Sequence, residues 1–149
     1  MTRWLTPTEA RAWRGYRRMR GLLDLRLARD MTRDSGLSEP DYDVLSTLGE
    51  TDGNRMRLTE LAAHMLWSNS RLSHHIARME QRGLVTRDPC PDDGRGSVVT
   101  LTPAGRAAIA EAAPKHVESV RDHFIDLLDE DDLESLAEIT ERVVAKLRA

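Results

Sequence analysis

Cysteine is almost absent from this 149-residue chain, and Cys90 is the only one. One thiol cannot close an intrachain disulfide or build a cysteine-rich zinc site. Cys90 lies between Pro89 and Pro91, with Arg87 as its only basic neighbour. It reads as an ordinary turn thiol, with a redox sensor as the alternative. Long apolar runs are also missing, and none approaches the ~20 residues that cross a bilayer. The opening MTRWLTPTEARAWRGYRRMRG has no apolar stretch of signal-peptide type, so the expected location is cytoplasmic. No internal repeat and no flexible linker interrupts the chain. No nucleophile elbow, glycine-rich phosphate loop or HExxH spacing is present, so no enzyme activity and no cofactor is expected. His116 and His123 would stand roughly 10.5 Å apart along a helix axis. His74 and His75 would diverge by ~100°. Neither pair suits a shared ion, and no metal site is expected.

The residues that are present describe a single globular domain. Hydrophobic residues make up 40% and charged residues 32%, enough for one sizeable core. The net charge is −3, but it is unevenly spread. Residues 1–54 are neutral, with nine basic and nine acidic side chains. Residues 55–106 carry eight basic and five acidic, and residues 107–149 carry five basic and eleven acidic. Only the middle third is net basic, as a local footprint on a polyanion requires.

Helix signals recur along the chain. Thr6-Pro7-Thr8-Glu9 predicts a capped helix start, and Trp13, Tyr16, Met19, Leu23 and Leu27 continue it at helical spacing to about Asp34. Ser38 starts a second helix with Tyr42, Leu45 and Leu48 on its buried face. Thr51 to Asn54 reads as a turn and Arg55 to Leu58 as an extended link. Thr59 is expected to cap a short third helix, and Ser68 caps the fourth after a gap of helix-turn-helix length. Gly83 ends that helix. Two strand-like runs, Leu84–Arg87 and Ser97–Leu101, flank the turn Pro91–Gly96. Thr102-Pro103 opens a long fifth helix, which Pro114 is expected to kink. Asp129 caps a final helix bearing Leu133, Leu136, Ile139, Val143 and Leu147.

The fourth helix has two chemically distinct faces. With Leu72 at 0° and ~100° per residue, Ile76 and Met79 complete a buried stripe. Ser70, Arg71, His74, Ala77, Arg78 and Gln81 fall on the opposite side, and His75 beside the stripe is expected to be half-buried. Arg71 and Arg78 can donate paired hydrogen bonds to guanine edges, and Ala77 can touch a thymine methyl. Ser68, Asn69 and Ser70 at the helix start suit phosphates. Ser73 sits at the flank, and His74 can donate or accept. On the hairpin, Arg95 stands in a glycine-flanked tip. Asp92 and Asp93 precede it, and one of them, Asp93 by preference, would hold its guanidinium by a paired contact. An arginine preset in this way can enter a narrow minor groove. The reading is a mainly α fold with a small β-hairpin wing (α+β). Residues 37–102 form a winged helix-turn-helix DNA-binding domain, and 1–36 and 103–149 form dimerisation helices. The apolar stripes of the terminal helices have no partner inside a small winged domain. Pairing two chains through them would set recognition helices ~34 Å apart.

The run Asp93-x-Arg95-x-x-x-Val99-x-Leu101-Thr102-x-x-Gly105, after Leu72-x-x-x-Ile76-x-x-Met79-Glu80-x-x-Gly83-Leu84-Val85, resembles the MarR family of bacterial regulators. The resemblance covers nearly the whole chain. It implies a homodimer on a pseudo-palindromic operator, usually a repressor, with its dimer made by the first and last helices. It implies that residues matching Ser68 to Arg78 read the major groove and that the match to Arg95 reads the minor groove. It also implies tuning by a small molecule, an oxidant or a metal. Trp67 departs from the family, where a smaller apolar residue is usual, and so does Pro114. Trp13, Tyr16, Arg17 and Arg20 of the first helix, with Tyr42 of the second, could line a pocket for an aromatic or phenolic acid, or be ordinary core aromatics and solvated arginines. A winged module that binds protein and not DNA is the rival reading, and such a module does not need Arg71, Arg78 and Arg95 together.

Overall fold

In the computed structural model, which describes residues 1–92 and 95–149, the first helix begins where the capping box placed it. The Glu9 amide donates to Thr6 Oγ1 at 3.1 Å, and the Thr6 amide donates to Glu9 Oε2 at 2.9 Å. Among the described residues the helices are α1 (Pro7–Ser35), α2 (Glu39–Glu50), α3 (Leu58–Met65), α4 (Asn69–Gln81), α5 (Pro103–His123) and α6 (Glu130–Arg148). The strands are β1 (Arg55–Arg57), β2 (Val85–Pro89) and β3 (Ser97–Leu101), and short 3-10 turns lie at Asp52–Asn54 and Ile125–Leu127. Ser38 and Asp129 also form reciprocal capping boxes, with Asp41 and Asp132. The fold is mainly helical with a small antiparallel sheet, as expected.

Two details differ from the sequence reading. Arg55–Arg57 is a strand and not a bare link. It pairs antiparallel with β3, Met56 opposite Val99, which puts β3 in the middle of a three-stranded sheet. Three residues are too few for a periodic pattern, so only the partner strand reveals them. Thr59 does not cap α3, which starts one residue earlier, after an extended Arg57 with no side-chain cap. Sheet pairing already holds Arg57 extended, so the helix needs no separate signal. The helix α5 carries Pro114 within its span. A proline removes one ladder hydrogen bond, and the helix keeps the turns on either side.

The chain divides into two units. The unit Met31–Lys115 contains the whole winged segment. Its core gathers Val44, Leu45 and Leu48 from α2, Leu61 and Ala62 from α3, Leu72, Ile76 and Met79 from α4, and Val85 and Val99 from the sheet. Each of the larger side chains contributes about 1.5–3 kcal/mol by leaving water. Two glycines are required by geometry. Gly83 takes φ 76° just after α4, and a Cβ on Gly105 would collide with the Leu84 carbonyl. Thr102 seals the same junction: its hydroxyl lies 2.9 Å from Leu84 O and accepts from the Gly105 amide at 3.0 Å. The Leu-Thr-x-x-Gly signature thus packs the start of α5 against the end of the α4 turn.

The other unit comprises Met1–Asp30 and His116–Ala149. The buried Asp30 joins α1 to α5. Its carboxylate accepts from the Ser119 hydroxyl at 2.7 Å and lies 3.0 Å from His123 Nε2 and 3.3 Å from Arg26 Nε. Among the described residues none of α6 is buried. Ile139, Val143, Val144 and Leu147 of α6 are exposed, as are Trp13, Tyr16, Leu22 and Leu25 of α1.

Candidate nucleic-acid interface

The turn into α4 is built by an unusual residue. Leu66 takes the left-handed conformation, φ 59°, and its amide reaches the Ala62 and Ala63 carbonyls that end α3. A leucine in this region costs about 1–2 kcal/mol. The chain reverses there, and Ser68 caps α4 by accepting from the Arg71 amide at 3.1 Å. Ser68, Asn69 and Ser70 at the start of α4 are all exposed.

Leu72, Ile76 and Met79 have no exposed surface. They fix the rotation of α4 so that Arg71, His74, Ala77 and Arg78 stand exposed. Ser73 is half-buried and already engaged. Arg87 of β2 donates to its hydroxyl at 2.7 Å and to Ser97 Oγ at 3.1 Å. Ser73 thus ties the recognition helix to the wing strands.

His75 is buried, 7% exposed, and not half-buried as expected. Its Nε2 lies 3.0 Å from Asp41 Oδ1, off the line of a good hydrogen bond. Its Nδ1 lies 3.3 Å from Arg78 Nη2. For Arg78 to donate there, the ring proton sits on Nε2, toward Asp41. The Asp41 carboxylate also accepts from Arg82 Nη1 at 2.7 Å and from the Ser38 amide at 2.9 Å. Burial alone would raise the Asp41 carboxyl. The close His75 ring, the Ser38 amide bond and the Arg82 bond and charge together outweigh burial and hold it well below the usual carboxylate range. On the outer side, Trp67 stacks under Arg71 and meets the His75 ring edge-on.

On the wing, Arg95 is exposed beside the start of β3. The expected partner Asp93 lies outside the described residues. Asp92, the other carboxylate considered, is 3.3 Å from Arg57 of β1. Cys90 is buried at the hairpin base, where a thiol is shielded from oxidants, and its amide donates to the Gly96 carbonyl at 2.8 Å.

The tentative effector residues fall in both units. Trp13 and Tyr16 stack with ring centroids 5.9 Å apart, and the Arg20 guanidinium lies 5.5 Å from the Tyr16 ring. Arg17 is exposed on the same helix. Tyr42 packs on the winged core. Burial and the nearby charges of Glu39 and Glu50 raise its phenol, so it stays a protonated donor among acidic neighbours. A hollow of about 290 Å³ in the terminal unit is lined instead by Met19, Leu22, Leu23, Arg26, His123 and Phe124.

Sequence reasoning missed the roles of Trp67, Arg82 and Arg87. Arg71 follows Trp67 by four residues, a spacing that could have suggested their contact. Arg82 and Asp41 are 41 residues apart, and no local pattern joins them.

The MarR family model matches residues 37–97. A solved structure of AbsC, a MarR family transcriptional regulator from Streptomyces coelicolor, is 44% identical, covering 99% of each chain with a TM-score of 0.93. Sco3205, another MarR family regulator from that organism, was crystallised in complex with DNA. It is 39% identical over 100% of this chain and 93% of its own, with a TM-score of 0.95. Among curated proteins, the transcriptional regulator HosA of Escherichia coli O111:H- is 28% identical over 88% of this chain and 95% of its own length.

Proposed function

Because the chain belongs to the MarR family of transcriptional regulators, we propose that it acts as a homodimeric repressor that binds a pseudo-palindromic operator. The observation that carries this reading is the helix α4, with Leu72, Ile76 and Met79 wholly buried and Arg71 and Arg78 exposed on its opposite face. The α4 start, with Ser68, Asn69 and Ser70, positions phosphate. Arg71, His74, Ala77 and Arg78 face base edges in the major groove, and Arg95 enters the minor groove beside it. Ser73 holds α4 to the wing. The crystallisation of Sco3205 with DNA, at 39% identity, supports DNA as the partner.

The exposed apolar faces of α1 and α6 support a second copy as the partner. One recognition helix reads too little sequence for a genome, and two related by a twofold axis read enough. The Trp13–Tyr16–Arg20 stack offers a surface for a small aromatic acid. A ligand there would lie on the dimerisation helices and act through the spacing of the recognition helices. Selection of bound fragments from genomic DNA, followed by gel shift at several salt concentrations, tests the reading. The expected result is a discrete operator whose affinity falls steeply with salt. Binding that is sequence-blind or insensitive to salt would overturn it. Screening phenolic acids for release of that fragment tests the effector.

A further inference from the structure

Trp67 stands in the turn before α4 and meets Arg71 and His75 at once. Arg71 Cζ lies 3.7 Å from the Trp67 ring centroid, close enough for the flat faces to touch. The His75 ring meets Trp67 edge-on, with centroids 5.6 Å apart and planes at 78°. Behind His75 stands Asp41, held by Arg82 and by its capping box with Ser38. Trp67 itself packs against the hydrophobic core. A chain of contacts therefore runs from a buried carboxylate on α2 to the outward cation in the first turn of α4.

Helix stability does not explain Arg71 in this position. It sits in the first turn of α4, where the aligned N–H dipoles disfavour a cation. Among the described residues no carboxylate forms an ion pair with it. An exposed arginine fixed on a base loses rotamer freedom. Stacking on Trp67 removes part of that freedom before DNA arrives. It also uses the face of the guanidinium and leaves the N–H edge free. Guanine presents O6 and N7 as two acceptors in one plane, matched to such an edge.

We propose that Trp67 is a positioning residue for operator readout. Its ring holds the Arg71 guanidinium so that the N–H edge addresses one guanine in each half-site. The inference rests on the DNA-reading role of α4 given above. A freely rotating arginine of the same charge serves phosphate equally well, so the ring acts on discrimination between sequences and not on general attraction to DNA.

The test uses the full chain, its selected operator and a set of operators with one base pair changed at a time. Trp67→Leu is expected to weaken operator binding about tenfold, in the range of a lost cation–π contact, with non-specific binding and salt slope unchanged. One base-pair position should lose its influence. Trp67→Phe should keep most of the wild-type profile, and Arg71→Lys should flatten it at the same position. On an Arg71→Ala background Trp67→Leu should add nothing. An equal loss on every fragment, or an undiminished loss on the Arg71→Ala background, would overturn the inference. If Trp67→Leu does not fold, the exposed Arg71→Lys carries the test, and an unchanged profile in that variant overturns the inference. A wild-type chain that selects no DNA removes the parent reading itself, which is a distinct outcome.

Discussion

The winged unit and the terminal-helix unit handle apolar surface in opposite ways. In Met31–Lys115, residues of several helices and a three-stranded sheet leave Leu45, Leu48, Leu61, Leu72, Ile76 and Met79 with no exposed surface. In the unit of α1, the end of α5 and α6, Ile139, Val143 and Leu147 remain 49%, 51% and 78% exposed. The open stripe is the surface proposed above for a second copy. The contrast fits the proposed division of tasks, in which one unit reads DNA and the other supplies the contact between two copies.

The largest expected effect tests the closed core. Leu72→Ala should cost about 3–5 kcal/mol, whereas Leu147→Ala at low protein concentration should cost less than about 0.5 kcal/mol. Urea unfolding measures both, and equal costs would erase the contrast between the units.

Asp41 should matter almost as much, through charge. Asp41→Asn removes the charge to which Arg82 and the Ser38 amide bond and should cost about 1.5–3 kcal/mol at neutral pH. The folded carboxyl is depressed, so its stabilisation is complete above the unfolded value of ~3.9 and is lost as pH falls from there toward the folded value. Wild-type stability should therefore decline below about pH 5, and part of that decline should vanish in Asp41→Asn. Chemical unfolding across pH reads the difference.

The open faces are tested by charge. The pair Ile139→Asp and Val143→Asp should yield a folded monomer by sedimentation, with operator affinity reduced about 100-fold, as expected for one half-site. An unchanged sedimentation coefficient would show that water, and not a second copy, covers these faces. The smallest effect is expected at the wing. Arg95→Ala should weaken operator binding about tenfold, the value of one good groove contact, with thermal stability unchanged.

Much of this molecule is legible residue by residue. Thr6, Ser38, Ser68 and Asp129 mark helix starts because caps act within three residues. The stripe Leu72, Ile76, Met79 sets the outward face of α4 because helical periodicity is local. The strand Arg55–Arg57 was not legible, since its only signal is the partner strand. His75 looked half-buried on a wheel, and its burial depends on Asp41 arriving from another helix. Trp67 looked like a mere departure from the family pattern until its ring was found under Arg71.

The sequence alone therefore determined where α1, α2, α4, α5 and α6 begin, which face of α4 is apolar and where the basic residues cluster along the chain. Capping, periodicity and charge all operate over a few neighbouring residues. Only tertiary structure decided that Asp41, His75 and Trp67 stand in line behind Arg71 and Arg78, and that Arg87 clasps Ser73. Asp41 meets His75 across 34 residues and Arg87 meets Ser73 across 14, and at that separation burial and packing, not local spacing, choose the partner.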